Sequence, residues 1–368
     1  MSNFTDKKLG FGLMRLEEKD GQIDLERLIP LVDKFIESGY SYFDAAYVYK
    51  GAEVAFREAV AKRHPRDKYT IATKQATWLL SDTFSAQQMF DEQLERLGVE
   101  YIDYYLLHSL QNSRMESINA FDSFAFGQQL KKQGKIRYFG FSFHGGPELL
   151  DELLTKYPFV DFVQLQINYT DWDDDTILAG ANYEVSLKHG KDIIVMEPVK
   201  GGILATPKQE AIDVFKALGD KSPSSYAFRF VAGLKGVKMV LSGMNSMAQM
   251  VDNIATFDNL EPLNDTEAGA LKKVNDIFRN TPVVSCTNCR YCVEGCPQAI
   301  RIPDIFKAYN SVLTFGDHNR PHWYYNALVR EGSGLASACI GCGACEGACP
   351  QHIEIIERLK ECAKIFDK

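Results

Sequence analysis

Short apolar runs alternate with amphipathic segments through most of the chain, from Gly10 to about Phe257. Several of these runs are continuously apolar, which is typical of strands that are covered on both faces of a sheet. The pattern predicts eight strands, at Gly10–Leu16, Tyr42–Ala45, Thr70–Lys74, Ile102–His108, Tyr138–Ser142, Phe162–Ile167, Ile193–Glu197 and Met239–Ser242.

The segments between these strands carry apolar residues at helical spacing. Leu28 and Val32 fall on one helix face, and Phe90 and Leu94 fall on another that ends before Gly98, a plausible C-cap. Eight strand–helix units in roughly 250 residues predict an α/β fold, the (β/α)8 TIM barrel. A doubly wound open sheet is the alternative, which is weakened because no GxGxxG turn follows an early strand.

The pattern changes after the last predicted strand. A polar-faced helix over residues 259–279 leads through Asn280–Pro282 into a cysteine-containing segment with no long flexible linker. We therefore expect two domains, a barrel over residues 1–280 and a smaller, mainly helical domain over residues 281–368.

Composition narrows the classes of function. Hydrophobic residues make up 45% of the chain and charged residues 24%, as in ordinary folded proteins. The net charge of −8, from 41 basic and 49 acidic residues, argues against a broad nucleic-acid-binding surface. The N-terminal segment lacks a signal-peptide core, and no apolar run reaches about 18 residues, so we expect a cytoplasmic protein without a membrane span.

The cysteines are confined to the second predicted domain. All 9 lie at or after Cys286, and the first 285 residues contain none. A disulfide scaffold distributes its pairs through the fold it stabilises, whereas clustered cysteines in a reducing compartment usually bind metal. The second domain is therefore predicted to be a metal-binding module.

The spacing of these cysteines follows the bacterial ferredoxin run C-x2-C-x2-C-x3-C-P, which occurs here twice, ending at Pro297 and at Pro350. In this run three thiolates surround one iron–sulfur cube and the fourth completes the other cube. We therefore predict two [4Fe–4S] clusters, although a pair of zinc sites is the alternative. The two predicted ligand sets are Cys286, Cys289, Cys292 and Cys349, and Cys339, Cys342, Cys345 and Cys296.

Polar residues close several of the predicted barrel strands, at the end where barrel enzymes place their chemistry. Asp44 follows the second strand with Tyr49 five residues later, Lys74 ends the third strand and His108 ends the fourth. This pattern resembles the signature of the aldo-keto reductase family. With the cysteine module, the whole chain resembles a bacterial branch of that family that carries a ferredoxin-type tail.

The resemblance implies an NAD(P)-dependent oxidoreductase and a set of cofactor contacts. By position, Ser142 and Gln164 match residues that bind the nicotinamide amide, and Met196 falls where an aromatic ring often stacks. The adenosine end matches Gly243, Asn245, Gln249, Asp252 and Asn253. Because the cations that often hold a 2′-phosphate are replaced by Gly243, Met244 and Gln249, the bound cofactor is predicted to be NAD(H) or NADP(H).

The residue types also suit carbonyl reduction. A phenol is a weak acid, and a neighbouring ammonium favours its ionised form, so Lys74 is expected to make Tyr49 a better proton donor. Asp44 can hold Lys74 in place, and His108 can orient a substrate oxygen. We therefore expect reversible reduction of a small aldehyde or ketone by hydride transfer.

Two hypotheses remain for the cysteine module. In the first, the clusters of an active reductase carry electrons, with a ferredoxin or flavodoxin as the possible partner, or sense redox state. In the second, the protein is a non-catalytic NAD(P)-binding redox sensor or a subunit of an electron-transfer assembly. Loop residues at the barrel mouth do not identify the substrate.

Overall fold

The computed structural model describes residues 7–175, 177–286, 288–349 and 351–368. Its largest feature is a closed barrel of parallel strands with helices outside, so the predicted (β/α)8 fold is confirmed. The barrel strands are β1 (Leu9–Gly12), β4 (Tyr42–Asp44), β5 (Thr70–Gln75), β6 (Ile102–Leu110), β7 (Ile136–Phe143), β8 (Phe162–Gln166), β9 (Asp192–Met196) and β10 (Val237–Ser242). The strands follow one another around the barrel in chain order, and it closes where β1 pairs with both β4 and β10.

All eight predicted strands are present, but the first is shorter than predicted. It ends at Gly12, because Leu13 already donates its backbone N–H to the carbonyl of Asp44 at 2.8 Å and the chain turns over the barrel end. A small hairpin, β2 (Glu18–Lys19) and β3 (Gln22–Ile23), then follows. Its turn is Asp20-Gly21, with φ of 52° and 77°, the left-handed pair that a tight hairpin requires.

The helices begin and end where the sequence offers caps. Asp24 accepts the backbone N–H of Arg27 at the start of the helix Leu25–Glu37, and Ser85 and Gln88 form a reciprocal capping box at the start of the helix Ala86–Leu97. The predicted C-cap Gly98 adopts φ 66° at the end of this second helix. The helices that follow the chain through residue 279 are α1 (Leu25–Glu37), α2 (Ala52–Phe56), α3 (Ala86–Leu97), α4 (Met115–Ala120), α5 (Ser123–Lys132), α6 (Pro147–Lys156), α7 (Ala179–Lys188), α8 (Gln209–Lys216), α9 (Pro223–Ala232), α10 (Met247–Asp258) and α11 (Asp265–Arg279).

Two apolar layers hold the barrel together. Side chains alternate along each strand, so one set packs inside the barrel and the other packs against the helices. The outer layer is rich in aromatic rings, among them Phe11, Phe35 and Phe43, which contact one another at centroid distances between 5.3 and 5.9 Å. The inner layer contains Tyr42, Ala72, Tyr104, Leu106, Phe162, Ile194, Met239 and Leu241.

The described residues divide into two compact units. The first comprises the described parts of Met1–Lys200 and Ser224–Thr266, and the second those of Gly201–Pro223 and Glu267–Lys368. The domain boundary near residue 280 stays a prediction. The C-terminal region continues with α12 (Tyr291–Glu294), α13 (Ile302–Phe315), α14 (Asn319–Arg330), α15 (Ala344–Gly347) and α16 (Ile355–Phe366).

The second unit has its own apolar core. Ile305, Phe306, Leu328 and Leu359 are almost fully buried where α13, α14 and α16 pack together. The hydroxyl of Tyr325 joins two ends of this unit, because it accepts the backbone N–H of Ala336 at 2.7 Å and donates to Asp367 at 2.5 Å. Within the described parts of the chain, no helix combines the length and the apolar character that crossing a membrane requires.

Gly127 lets α5 approach the sheet more closely than any larger residue permits. A Cβ atom at this position lies 2.1 Å from the ring of Phe139, far inside van der Waals contact. We expect Gly127→Ala to lower the free energy of unfolding by about 1–3 kcal/mol, through overpacking. The midpoint of urea unfolding, followed by circular dichroism, measures the change.

Gly269→Ala is the matched control for this prediction. Gly269 also lies within a helix, and no described atom comes within 4 Å of its built Cβ. The same substitution there should raise the free energy of unfolding by up to about 1 kcal/mol, because alanine favours helix. Equal effects of the two variants contradict the close-packing argument.

Candidate functional site

Three of the four predicted catalytic residues lie at the C-terminal ends of consecutive barrel strands. Asp44 is the last residue of β4, Lys74 lies one residue before the end of β5, and His108 lies near the end of β6. On each of these strands an inner-layer residue lies two positions earlier. Because side chains alternate between the two faces of a strand, all three side chains face the barrel interior.

Lys74 and Asp44 form a buried ion pair. The side chains are 1% and 4% exposed, and Lys74 Nζ lies 2.5 Å from Asp44 Oδ1. The same ammonium donates to the backbone carbonyl of Ala45 at 2.7 Å. The second carboxylate oxygen of Asp44 accepts the side-chain amide of Gln164 at 3.0 Å, so three strands of the barrel position this pair.

Tyr49 joins the pair from the loop after β4. Its backbone N–H donates to the carbonyl of Ala46 at 3.0 Å, and its own carbonyl accepts the N–H of Ala52 at the start of α2. Lys74 Nζ lies 4.8 Å from the centre of the Tyr49 ring, and the ring of His108 meets that of Tyr49 edge-on, with centroids 5.8 Å apart. The structure therefore brings all four predicted residues together.

Burial and charge act on Tyr49 in opposite directions. Burial raises the pKa of its hydroxyl above the usual value, the ammonium of Lys74 lowers it, and Asp44 raises it, with a net rise. Burial lowers the pKa of Lys74, but Asp44 and Tyr49 outweigh this effect and the net shift is upward. Lys74 therefore lowers the pKa of Tyr49, as expected, but burial raises this pKa by more. Tyr49 is a neutral phenol beside a charged ammonium.

His108 is neutral and has an unused ring nitrogen. Burial, then the positive charge of Lys74, lowers its pKa to about 3. Among the described residues, none lies within hydrogen-bonding distance of the buried His108 Nδ1. The ring of Trp78 packs beside it at 5.4 Å, and Arg114 covers the indole at 4.0 Å.

The three residues predicted to contact nicotinamide lie at the same end of the barrel. Ser142 Oγ accepts the backbone N–H of Ser109 at 2.7 Å, Gln164 is hydrogen-bonded to Asp44 as described, and Met196 packs against the inner layer. Ser109 has φ 57°, a strained conformation for a residue other than glycine. These positions surround the mouth of the barrel beside the ion pair.

The residues predicted to bind the adenosine end follow β10. Gly243 lies in the loop, and Asn245 and Gln249 are joined by a hydrogen bond of 3.0 Å from the backbone of Asn245 to the side chain of Gln249. Two others have structural contacts: Asn253 is buried and donates to Ser242 at 2.9 Å, and Asp252 accepts the hydroxyl of Ser224 at 3.0 Å. Asn253 therefore joins α10 to the end of the strand.

Two networks beside the site were missed by sequence reasoning. Gln93, fully buried on α3, donates to Glu53, to Thr73 and to the carbonyl of Lys74, which fixes the backbone that carries the ammonium. Glu53 lies four residues after Tyr49. The sequence signal that could have indicated this network is a carboxylate within a buried segment. At the mouth, Arg15 pairs with Glu197 at 2.8 Å, and only barrel closure brings these residues together.

In the second unit, the eight clustered cysteines surround two neighbouring cavities. One cavity is lined by the cysteines predicted to form the first ligand set: Cys286, Cys289, Cys292 and Cys349. The other is lined by those predicted to form the second: Cys296, Cys339, Cys342 and Cys345. Ile302 lines both cavities.

The donor chemistry fits iron–sulfur clusters. Each cavity is lined by four cysteines, three from one run and one from the other, which is the ligand arrangement of the ferredoxin run C-x2-C-x2-C-x3-C-P. Pro297, which follows the first run, lines one cavity, whereas Pro350 lies outside the described residues. The ninth cysteine, Cys362, is fully buried in the helical core, where burial raises its pKa to about 12.

Two family models match the chain. The model of the aldo/keto reductase family matches residues 8–276, and the model of the 4Fe-4S dicluster domain matches residues 285–354. An L-galactose dehydrogenase from Arabidopsis thaliana is 26% identical over 279 residues, which are 69% of this chain and 85% of that protein. An aldo-keto reductase from Mycolicibacterium vanbaalenii is 30% identical over 226 residues, 61% of this chain and 75% of that protein.

Solved structures share the barrel. An aldo-keto reductase from Klebsiella pneumoniae in complex with NADPH superposes with a TM-score of 0.59 at 20% identity, covering 73% of this chain and 90% of that chain. A holo aldo-keto reductase from Bacillus halodurans gives a TM-score of 0.55 at 24% identity, covering 72% and 91%. At these identities the likeness establishes the fold.

The two cavities predict which cysteines assemble together. Cys349→Ser should remove the cluster whose other ligands begin at Cys286, so iron and acid-labile sulfide should fall from about eight to about four each per chain. Cys362→Ala, which touches neither cavity, should keep the full iron content and is the control. Loss of the other cluster in Cys349→Ser, identified by cysteine alkylation and peptide mapping, contradicts the pairing.

Proposed function

Because the chain belongs to the aldo/keto reductase family and carries a 4Fe-4S dicluster domain, we propose that it reduces a small aldehyde or ketone with a reduced nicotinamide dinucleotide, or oxidises the alcohol in the reverse direction. The single observation that carries this proposal is the assembly of Tyr49, Lys74, Asp44 and His108 at the mouth of the barrel.

Tyr49 is proposed as the proton donor. Its raised pKa keeps the hydroxyl protonated at neutral pH, so the proton is available when a carbonyl oxygen gains charge. Lys74 stabilises the phenolate that remains after transfer, because the ammonium lies beside the ring and cannot move away from Asp44. A bound nicotinamide supplies the hydride.

His108 is proposed to orient the substrate. A neutral imidazole can donate one hydrogen bond to a carbonyl oxygen, and it adds no second positive charge beside Lys74. Its pKa of about 3 keeps it neutral at neutral pH, and Tyr49 borders the same space. His108 therefore directs the oxygen toward the phenol.

The cofactor is proposed to lie across the mouth of the barrel. Ser142 and Gln164 offer hydrogen-bonding groups to a nicotinamide amide, and Met196 offers a polarizable face. Gly243, Asn245 and Gln249 are proposed to receive the adenosine end. No lysine or arginine occupies positions 243–249, so NADH and NADPH are both candidates.

The two cysteine cavities are proposed to hold one [4Fe–4S] cluster each, for electron transfer or redox sensing. Hydride carries two electrons, whereas each cluster passes one electron at a time. A one-electron carrier protein such as a ferredoxin or flavodoxin is therefore the proposed partner of the cysteine module, and a small carbonyl compound is the proposed substrate of the barrel.

Replacement of Tyr49 tests the reductase proposal. In anaerobically purified protein, Tyr49→Phe should lower kcat for carbonyl reduction by about 10²–10⁴-fold, because the general acid is lost. Oxidation of NADH and NADPH, followed by absorbance with a panel of small aldehydes and ketones, measures the rate.

Tyr47→Phe is the matched control for Tyr49→Phe. The Tyr47 hydroxyl donates to Glu92 at 2.7 Å rather than meeting Lys74, so its loss should change kcat by less than about threefold. If wild-type protein binds the nucleotide but reduces no carbonyl of the panel, the proposal is wrong and the redox-sensor hypothesis takes its place.

The low pKa of His108 predicts a pH profile. Since protonation of the folded protein at this residue occurs only as the pH falls toward about 3, His108 stays neutral between pH 5.5 and 8. We expect kcat/KM for reduction to show no step near the ordinary histidine pKa in this range. His108→Gln should lower the rate without changing the shape of the profile, whereas a step that disappears in this variant contradicts the assignment.

A further inference from the structure

The two cysteine runs have the same spacing but different charges. Between the second and third cysteines, the first run has Arg290 where the second has Gly343. Directly after the third cysteine, the first run has Val293 where the second has Glu346. The first run therefore carries a cation at a position where the second has glycine, and the second carries an anion at a position where the first has valine.

Arg290 occupies a backbone conformation that glycine suits better. Its φ is 68°, in the left-handed region, and the equivalent Gly343 has φ 78°. A side chain at such a position costs conformational free energy, which Gly343 avoids. A strained arginine at a position where the sister run has glycine points to a role for its side chain.

Arg290 lines the cavity of the first ligand set. Its guanidinium is paired with Asp304, with Nη2 2.8 Å from Oδ2. Arg301 contacts the same carboxylate at 3.3 Å and also pairs with Glu331 at 3.0 Å. The Asp304 side chain is 13% exposed, whereas Glu331 and Glu294 are exposed and their charges are better screened by solvent.

The second cavity has the opposite surroundings. Within the described part of the chain, its lining contains no lysine, arginine, aspartate or glutamate. Glu346 follows Cys345 directly, and the backbone N–H of Ile356 holds its carboxylate in place at 2.9 Å. Lys360, on the neighbouring helix, interacts electrostatically with Cys339, but it is exposed and paired with Glu357 at 2.6 Å, so solvent screens its charge. The charge that directly follows a ligand of this set and is held by a backbone hydrogen bond is the carboxylate of Glu346.

We propose that Arg290 makes the site of Cys286, Cys289, Cys292 and Cys349 the higher in reduction potential of the two, and that Glu346 keeps the other site lower. This inference rests on the proposed assignment of one cluster to each cavity. Reduction adds one electron to a [4Fe–4S]²⁺ cluster and gives [4Fe–4S]⁺, with a low-potential one-electron carrier as donor and no proton required. The added negative charge is stabilised by a nearby cation and destabilised by an anion.

The consequence is a direction for electrons within the module. An electron that enters at the site of Cys339 and Cys342 passes downhill across Ile302, which lines both cavities, to the site beside Arg290. Cys342 and Cys289 are both exposed, so accessibility does not distinguish the two sites as points of entry. The charge difference therefore sets the order.

Potentiometric titration of the holoprotein, followed by electron paramagnetic resonance, tests the order. Wild-type protein should show two one-electron steps. Arg290→Gly should lower the reduced-to-oxidised ratio of the higher-potential step about three- to tenfold at a fixed potential, where tenfold corresponds to 59 mV for one electron. The midpoint potential of the lower-potential step should not change. Glycine is already accepted at the equivalent position 343, so this variant should retain its iron.

Three further variants separate charge from structure. Arg290→Lys keeps the charge and should restore most of the higher potential. Arg301→Gln removes a cation that contacts Asp304 but does not line the cavity, so its effect should be smaller. Glu346→Gln should raise the midpoint potential of the lower-potential step. The proposal is overturned if Arg290→Gly changes neither midpoint potential or changes that of the lower-potential step.

Iron analysis of the same samples distinguishes the two levels of inference. About eight irons per wild-type chain, with potentials that do not respond to Arg290, refute the proposed order and leave the cluster assignment intact. A wild-type iron content far below eight refutes the cluster assignment itself, and the proposed order with it.

Discussion

The buried pair of Lys74 and Asp44 is the interaction on which the barrel site depends. Two charges removed from water are costly unless every donor and acceptor is satisfied. Here the ammonium donates to Asp44 and to the Ala45 carbonyl, and Asp44 also accepts the amide of Gln164, 120 residues later in the chain. The pair is thereby fixed to three strands, and it gives Tyr49 a positive neighbour that cannot turn away into solvent.

The acidity of Tyr49 results from two opposing effects. Burial raises its pKa and Lys74 lowers it, with a net rise, so the hydroxyl stays protonated at neutral pH with a fixed cation beside it. For the proposed proton donation at neutral pH, this combination is more suitable than a strongly acidic phenol, because the proton is retained until a substrate oxygen develops charge. The neutral His108 completes the site without adding a second positive charge.

The cysteine unit solves a different physical problem. Its helices bury a small apolar core, and eight of its cysteines line two cavities that border this core. The crossing of the two runs, with Cys296 and Cys349 each facing the cavity of the other run, links distant segments of the unit. Because the two runs share spacing and turn geometry, the charged residues that differ between them stand out.

The sequence alone was sufficient for the (β/α)8 architecture, for the location of all eight barrel strands and for the cysteine runs. Periodicity and spacing are local properties, so they are readable without the fold. The end of β1, the hairpin at Asp20-Gly21, the support of Lys74 by Gln93 and the pairing of Arg15 with Glu197 were decided only by the tertiary structure. The net pKa shift of Tyr49, in which burial opposes the charge of Lys74, was also decided only by the tertiary structure. Desolvation depends on every element packed around a group and not on its neighbours in the chain.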